Sequence, residues 1–184
     1  MGVTKSAEGA VIHAGAGPTY VGPGPGSQVT PEEVAAVVDL FRLAGLECQA
    51  RDDIDRVLWE KLLVNVAINP LTALLRVPNG TLPDLPEAWQ IALAAAAEAR
   101  AVAGAAGIPL DGDFEARLRQ VCAATARNCS SMLQDVLAGR PTEIEALNGR
   151  VSARGAALGV PTPVNDLLTR LLRAWGESID MRAG

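Results

Sequence analysis

Residues 58–79 read LWEKLLVNVAINPLTALLRVPN. Apolar residues recur at helical spacing, Leu58, Leu62, Ile68, Leu71 and Leu75 among them, so the stretch is expected to be a helix sunk into a core. Polar side chains are few. Lys61, Asn65 and Asn69 stand four apart. Four residues advance about 400° around a helix and about 6 Å along it, so the three form one slowly drifting polar row. An ammonium and two carboxamides are costly to bury among leucines unless hydrogen-bonded. A small polar ligand is one way to satisfy them, and hydrogen bonds between helices or a solvated face are the others. Pro70 removes a backbone donor and frees the carbonyl of Val66, so a kink is expected that aims Asn69 away from the helix wall.

The chain has 184 residues, 49% hydrophobic and only 3% aromatic, enough for one mid-sized domain with a packed core. Its alanine and leucine bias favours helices packed through small side chains. A formal charge of −5 argues against nucleic acid or an anionic membrane as partner. No N-terminal segment has the pattern of a secretory signal. The apolar run from Ile91 to Ile108 contains Glu98 and Arg100 and reads as a buried helix, not a membrane span. Cys48, Cys122 and Cys129 make no C-x-x-C pair. Cys122 and Cys129 are two helical turns apart, expected on one buried face, and reduced thiols of a cytoplasmic protein without metal fit best. His13, the single histidine, reads as a structural residue in a strand.

Along the chain, Ala10 to Gly22 suggests two short strands joined by a Gly-Ala-Gly-Pro turn. Residues 15–20 fail the G-x-G-x-x-G pattern at the last position, which argues against a phosphate loop. Thr30, Pro31 and Glu33 form the start of a helix with a capping box, stopped at Gly45, and residues 46–50 suggest another strand. The first fifty residues therefore carry too little sheet to stand alone and look like the edge of a larger domain. Asp52 or Asp53 is expected to cap the key helix. Further helices are expected over about 87–106, over 114–137 with Asn128, Ser130 and Ser131 on it, from a Thr142 cap to Leu158, and over about 165–178. No repeat is visible.

The key stretch, followed by NCSSMLQDVLAGRPTEIEALNG at residues 128–149, resembles the C-terminal half of the ketopantoate reductase (2-dehydropantoate 2-reductase) family, in its order and at about its separation. The resemblance implies a mainly α fold: a helical bundle like the C-terminal domain of 6-phosphogluconate dehydrogenase (residues 52–184), preceded by a short α/β remnant of a Rossmann domain (residues 1–51). It implies reduction of a small 2-oxo acid by NADPH, with NADP held mostly by an upstream Rossmann domain. It puts the catalytic proton donor on Lys61 and substrate contacts on Asn65, Asn69, Asn79 and Ser131. Asn128 is a further substrate candidate, expected one turn from Ser131 on the same helix face, with a core-bridging hydrogen bond as its other reading. Glu143 matches a glutamate facing the cofactor, and a carboxylate in the first turn of a helix is its other reading. Asp135 and Arg140 read as an ion pair bracing a turn. The glycine-rich fingerprint is not found, so the chain looks like the C-terminal portion of a reductase, inactive alone, with a homodimer possible. The alternatives are a non-catalytic helical binding or dimerisation module, or a reductase for another 2-oxo acid.

Overall fold

The computed structural model describes residues 2–5, 9–15, 17–24 and 26–183. Two compact units divide it, residues 1–58 and 59–184.

In the first unit, β1 (Gly2–Lys5) pairs antiparallel with β2 (Val11–Gly15), and β3 (Thr19–Val21) pairs in parallel with β4 (Cys48–Ala50). Parallel neighbours need a crossover, and α1 (Pro31–Leu43) provides it. The capping box closes as expected: Thr30 Oγ1 accepts from Glu33 N at 3.3 Å and Glu33 Oε2 from Thr30 N at 2.8 Å. Val34 and Val38, one turn apart, are the buried residues of α1, and Gly45 takes φ +74° just past its end, a conformation glycine adopts without steric cost. Strand β1 was not expected: two glycine- and lysine-flanked residues are too short for alternation to register. The side chain of His13 and the turn residue Ala16 lie outside the described residues.

The second unit is built on α2 (Ile54–Leu75). Its residues 66–73 are buried without interruption, as in a helix surrounded by others rather than lying on a surface. It is the one helix among the described residues long and apolar enough to cross a membrane, and half of its apolar window is buried inside the protein. Leu63, Ala67, Ile68 and Leu71 share a core with Ala92, Ala95 and Ala96 of α3 (Pro86–Ala105), Leu118 and Cys122 of α4 (Phe114–Ala124), and Leu168 of α7 (Pro163–Ala183). The alanines let α3 approach closely. Val66 packs instead with Ala99, Val102 and Val151, the last on α6 (Arg150–Leu158).

Several expectations are corrected. Leu58 and Leu75 are exposed rather than in the core; both lie toward the ends of α2. Asp53, the residue before α2, holds Arg51 with its carboxylate, Nε at 2.7 Å and Nη2 at 2.8 Å. The helix expected over 114–137 is two helices, α4 and α5 (Ser131–Leu137). Its interruption has a tertiary cause, since the backbone donors of Asn79 and Gly80 take the carbonyls of Asn128 and Ala126 at 3.0 and 3.1 Å. The break separates buried Cys122 from exposed Cys129, so they share no face. Thr142 caps nothing: a π-helical turn at Glu145–Gly149, without a side-chain cap, precedes α6.

Candidate functional site

The polar row on α2 descends from solvent into the protein. Lys61 is exposed, Asn65 half-buried and Asn69 only 8% exposed. Among the described residues no hydrogen bond or ion pair holds the Lys61 ammonium or the Asn65 and Asn69 carboxamides. The Asn69 amide is nonetheless not one of the sealed polar groups without partners, so it keeps a small opening to solvent. Three unspent polar groups along about 12 Å of one helix face can bind a small ligand carrying both donors and acceptors, because an amide does both and an ammonium donates.

The end of the row is braced from two sides. Thr72 Oγ1 donates back to Ile68 O at 2.9 Å and lies 2.8 Å from Ser130 Oγ. Ser130 is the N-cap of α5, accepting from Leu133 N at 3.1 Å. With the Thr72 hydrogen turned to Ile68 O, the Ser130 hydroxyl is the donor between the two. This places the start of α5, and Ser131 with it, against the turn of α2 that follows Asn69. Ser131 itself is exposed. On the other side, Asn148 Nδ2 donates to Val66 O at 3.0 Å, the carbonyl Pro70 leaves without its helical partner.

Asn79 is buried and begins the 3-10 turn Asn79–Asp84. Its Nδ2 donates to Thr125 Oγ1 at 3.0 Å, while its Oδ1 is buried without a partner. Asn128 is not on a helix face with Ser131, as expected from sequence; it lies in the break before α5, exposed, and its backbone carbonyl accepts from Asn79 N. Asn79 and Asn128 are therefore neighbours. Glycine is required beside them, since a Cβ on Gly80 would stand 2.6 Å from the Cβ of Ala126.

Glu143 is exposed and precedes the π-helical turn, its carbonyl taking the amides of Ala146 and Leu147 at 3.0 and 3.1 Å. It is thus just ahead of the first helical turn, not in it. Among the described residues no hydrogen bond or ion pair joins it to the row. Arg140 and Asp135 pair as expected, with Nη2 to Oδ1 at 2.7 Å.

Sequence reading missed Thr72, Ser130 and Asn148. Thr72 and Ser130 are a hydroxyl after Pro70 and a hydroxyl before a helix, patterns that mark back-bonding and capping, but their mutual contact spans 58 residues. A cavity of about 310 Å³, lined by Leu63, Leu110, Phe114, Glu60, Arg100 and Arg117, lies behind α2. Glu60 and Leu63 point about 100° or more from Lys61, so this space is not the one the row faces. No group of three or more His, Cys, Asp or Glu suited to a metal occurs among the described residues.

Residues 53–176 match the family model described as "Ketopantoate reductase PanE/ApbA C terminal". The 2-dehydropantoate 2-reductase of Archaeoglobus fulgidus is 41% identical over 165 residues, covering 90% of this chain and 55% of that protein. The crystal structure of a PanE/ApbA family ketopantoate reductase from Ralstonia eutropha superposes with a TM-score of 0.86 at 30% identity, over 97% of this chain and 58% of that one. The ternary structure of D-mandelate dehydrogenase with NADH and anilino(oxo)acetate does so with 0.83 at 28% identity, over 97% and 73%. The chain spans about half the length of the curated relatives it matches. With the family model covering the helical unit from the start of α2 into α7, and the polar row, the proline and the 128–149 block all inside it, the chain belongs to the ketopantoate reductase family as its C-terminal portion.

Proposed function

We propose that this chain is the substrate side of an NADPH-dependent 2-dehydropantoate 2-reductase, the enzyme that turns ketopantoate into pantoate, working in the cytoplasm. The observation that carries the reading is the descending row of unspent polar groups, Lys61 exposed and Asn69 buried, inside the stretch matched by the family model. On this reading residues 52–184 form the substrate domain and residues 1–51 trail a Rossmann domain that an N-terminal partner segment completes. A homodimer is compatible with it.

A nicotinamide, when bound by that Rossmann half, supplies the hydride. Negative charge then grows on the former carbonyl oxygen, and Lys61 relieves it by giving up a proton from its ammonium. A positioned general acid is typically worth about 10²–10⁴ in rate. Asn65 and Asn69 orient the oxo acid, their amides donating to carboxylate and keto oxygens and accepting from hydroxyls. Ser131 and Asn128 add donors at the α5 end, and Asn79 lies beside Asn128 with its Oδ1 sealed from solvent. Glu143, whose carboxylate makes no hydrogen bond or ion pair among the described residues, fits a role as acceptor for cofactor hydroxyls or amide.

A second reading keeps the chemistry and changes the acid. The fold likeness to D-mandelate dehydrogenase, solved with NADH and anilino(oxo)acetate, favours a bulkier 2-oxo acid and NADH. Ketopantoate and a phenyl-substituted 2-oxo acid are titrated in parallel against the chain, alone and with a supplied Rossmann half and NADPH or NADH. Shifts at Lys61, Asn65 and Asn69, and nicotinamide oxidation only with the added half, are expected for ketopantoate. No response to either acid in any combination would leave only a helical scaffold.

A further inference from the structure

The network behind α2 links its proline to the N-terminus of α7. Asn148 Nδ2 faces two acceptors, Val66 O and Asn165 Oδ1, both at 3.0 Å. Asn165 Nδ2 faces two more, Ala95 O at 3.0 Å and Glu98 Oε2 at 2.7 Å. Four acceptors leave one arrangement of the two amides, each with its nitrogen toward its acceptors. The Asn148 oxygen is then buried with no partner, and the residue is fully buried. A buried orphan acceptor is costly, so what this position retains is the donor. Asn148 reaches α2 from the π-helical turn Glu145–Gly149, where Gly149 N bonds Ile144 O at 3.0 Å. That extra residue per turn rotates one side chain out of α-helical register, an arrangement frequent at functional sites.

We propose that Asn148 is a positioning residue for the polar row. By replacing the backbone donor that Pro70 lacks, it fixes how far the α2 ladder opens between Val66 and Pro70. It thereby sets the angle between the segment bearing Lys61 and Asn65 and the one bearing Asn69. The inference rests on the reading of that row as the oxo-acid site. It also explains why a proline is tolerated in the buried stretch 66–73 of α2: the freed carbonyl is satisfied by a fixed side chain rather than left open.

The test is a double-mutant cycle on the full chain, with the side-chain amide signals of Asn65 and Asn69 followed by NMR. Pro70→Ala returns a backbone donor to Val66 O and makes Asn148 redundant there. Removing Asn148 by Asn148→Ala is then expected to lower the folding constant at least about fivefold less in the Pro70→Ala background than in the unmodified chain. Pro70→Ala alone, which trims only two ring carbons from a buried position, is expected to move the Asn65 and Asn69 amide signals while the chain stays folded. A brace serving stability alone would leave the Asn65 signals, five residues from the substitution, in place. If Asn148→Ala does not fold, the amide signals of Pro70→Ala decide by themselves. Additive effects, or unmoved Asn65 signals, overturn the inference. Ketopantoate titrated into the unmodified chain tests the site separately: no binding sinks the substrate reading and leaves the coupling intact, whereas binding that Pro70→Ala does not weaken sinks the positioning role alone.

Discussion

Replacing Glu98 by glutamine should loosen the start of α7. The carboxylate takes three donors: Val164 N at 2.8 Å, Asn165 N at 2.9 Å and Asn165 Nδ2 at 2.7 Å. Two of them are amides in the first turn of the helix, which have no partner within it. Glutamine keeps one oxygen and presents an NH₂ to at least one of the three. An orphaned buried donor costs about 1–3 kcal/mol, and loss of negative charge at a helix N-terminus adds about 0.3–1 kcal/mol. The sum, about 1.3–4 kcal/mol, is a large share of a typical domain's stability and corresponds to a fall in Tm of roughly 3–16 °C for a chain of this length. Thermal unfolding followed by circular dichroism measures it, and hydrogen exchange at Val164 and Asn165 locates it. A Tm within a degree of the unmodified chain, with both amides still protected, would refute the assignment of Glu98 as the cap of α7.

Gly80→Ala should destabilise the chain by about 1–3 kcal/mol, because the new Cβ would stand 2.6 Å from that of Ala126 and 2.7 Å from its Cα; chemical denaturation measures this, and weaker oxo-acid binding should accompany it, since the same contact seats Asn79 beside Asn128. Thiol labelling of the native chain at mildly alkaline pH should modify exposed Cys129 and spare buried Cys122, whose thiol burial pushes up to about 11. With the folded value raised, the unfolded chain loses the Cys122 proton first. That contribution to stability is whole below the ordinary thiol range and drains away as pH climbs through it toward about 11, which denaturation midpoints across alkaline pH would reveal.

How much of this was legible in the sequence varies by residue. The row at 61, 65 and 69 follows from spacing alone, as does the freeing of the Val66 carbonyl by Pro70. The partner of that carbonyl, Asn148, lies 82 residues away, and no local pattern announces it. The Thr30 box was readable because both of its bonds are local. The break after Ala124 was not, since residues 125–128 contain neither proline nor glycine; it is imposed by Asn79 and Gly80 taking carbonyls that a continuous helix would have used. For the same reason Asn128 changed from a helix-face residue to a neighbour of Asn79. The end positions Leu58 and Leu75 follow the helical period, but period gives direction, not whether a neighbour stands there.

Everything functional rests on Lys61 acting as the acid. Steady-state rates of ketopantoate reduction, with this chain joined to a Rossmann half, compare Lys61 with Lys61→Ala directly. A fall in kcat of about 10²–10⁴ with folding unchanged is the predicted result. A kcat within a few-fold of the unmodified protein would contradict it.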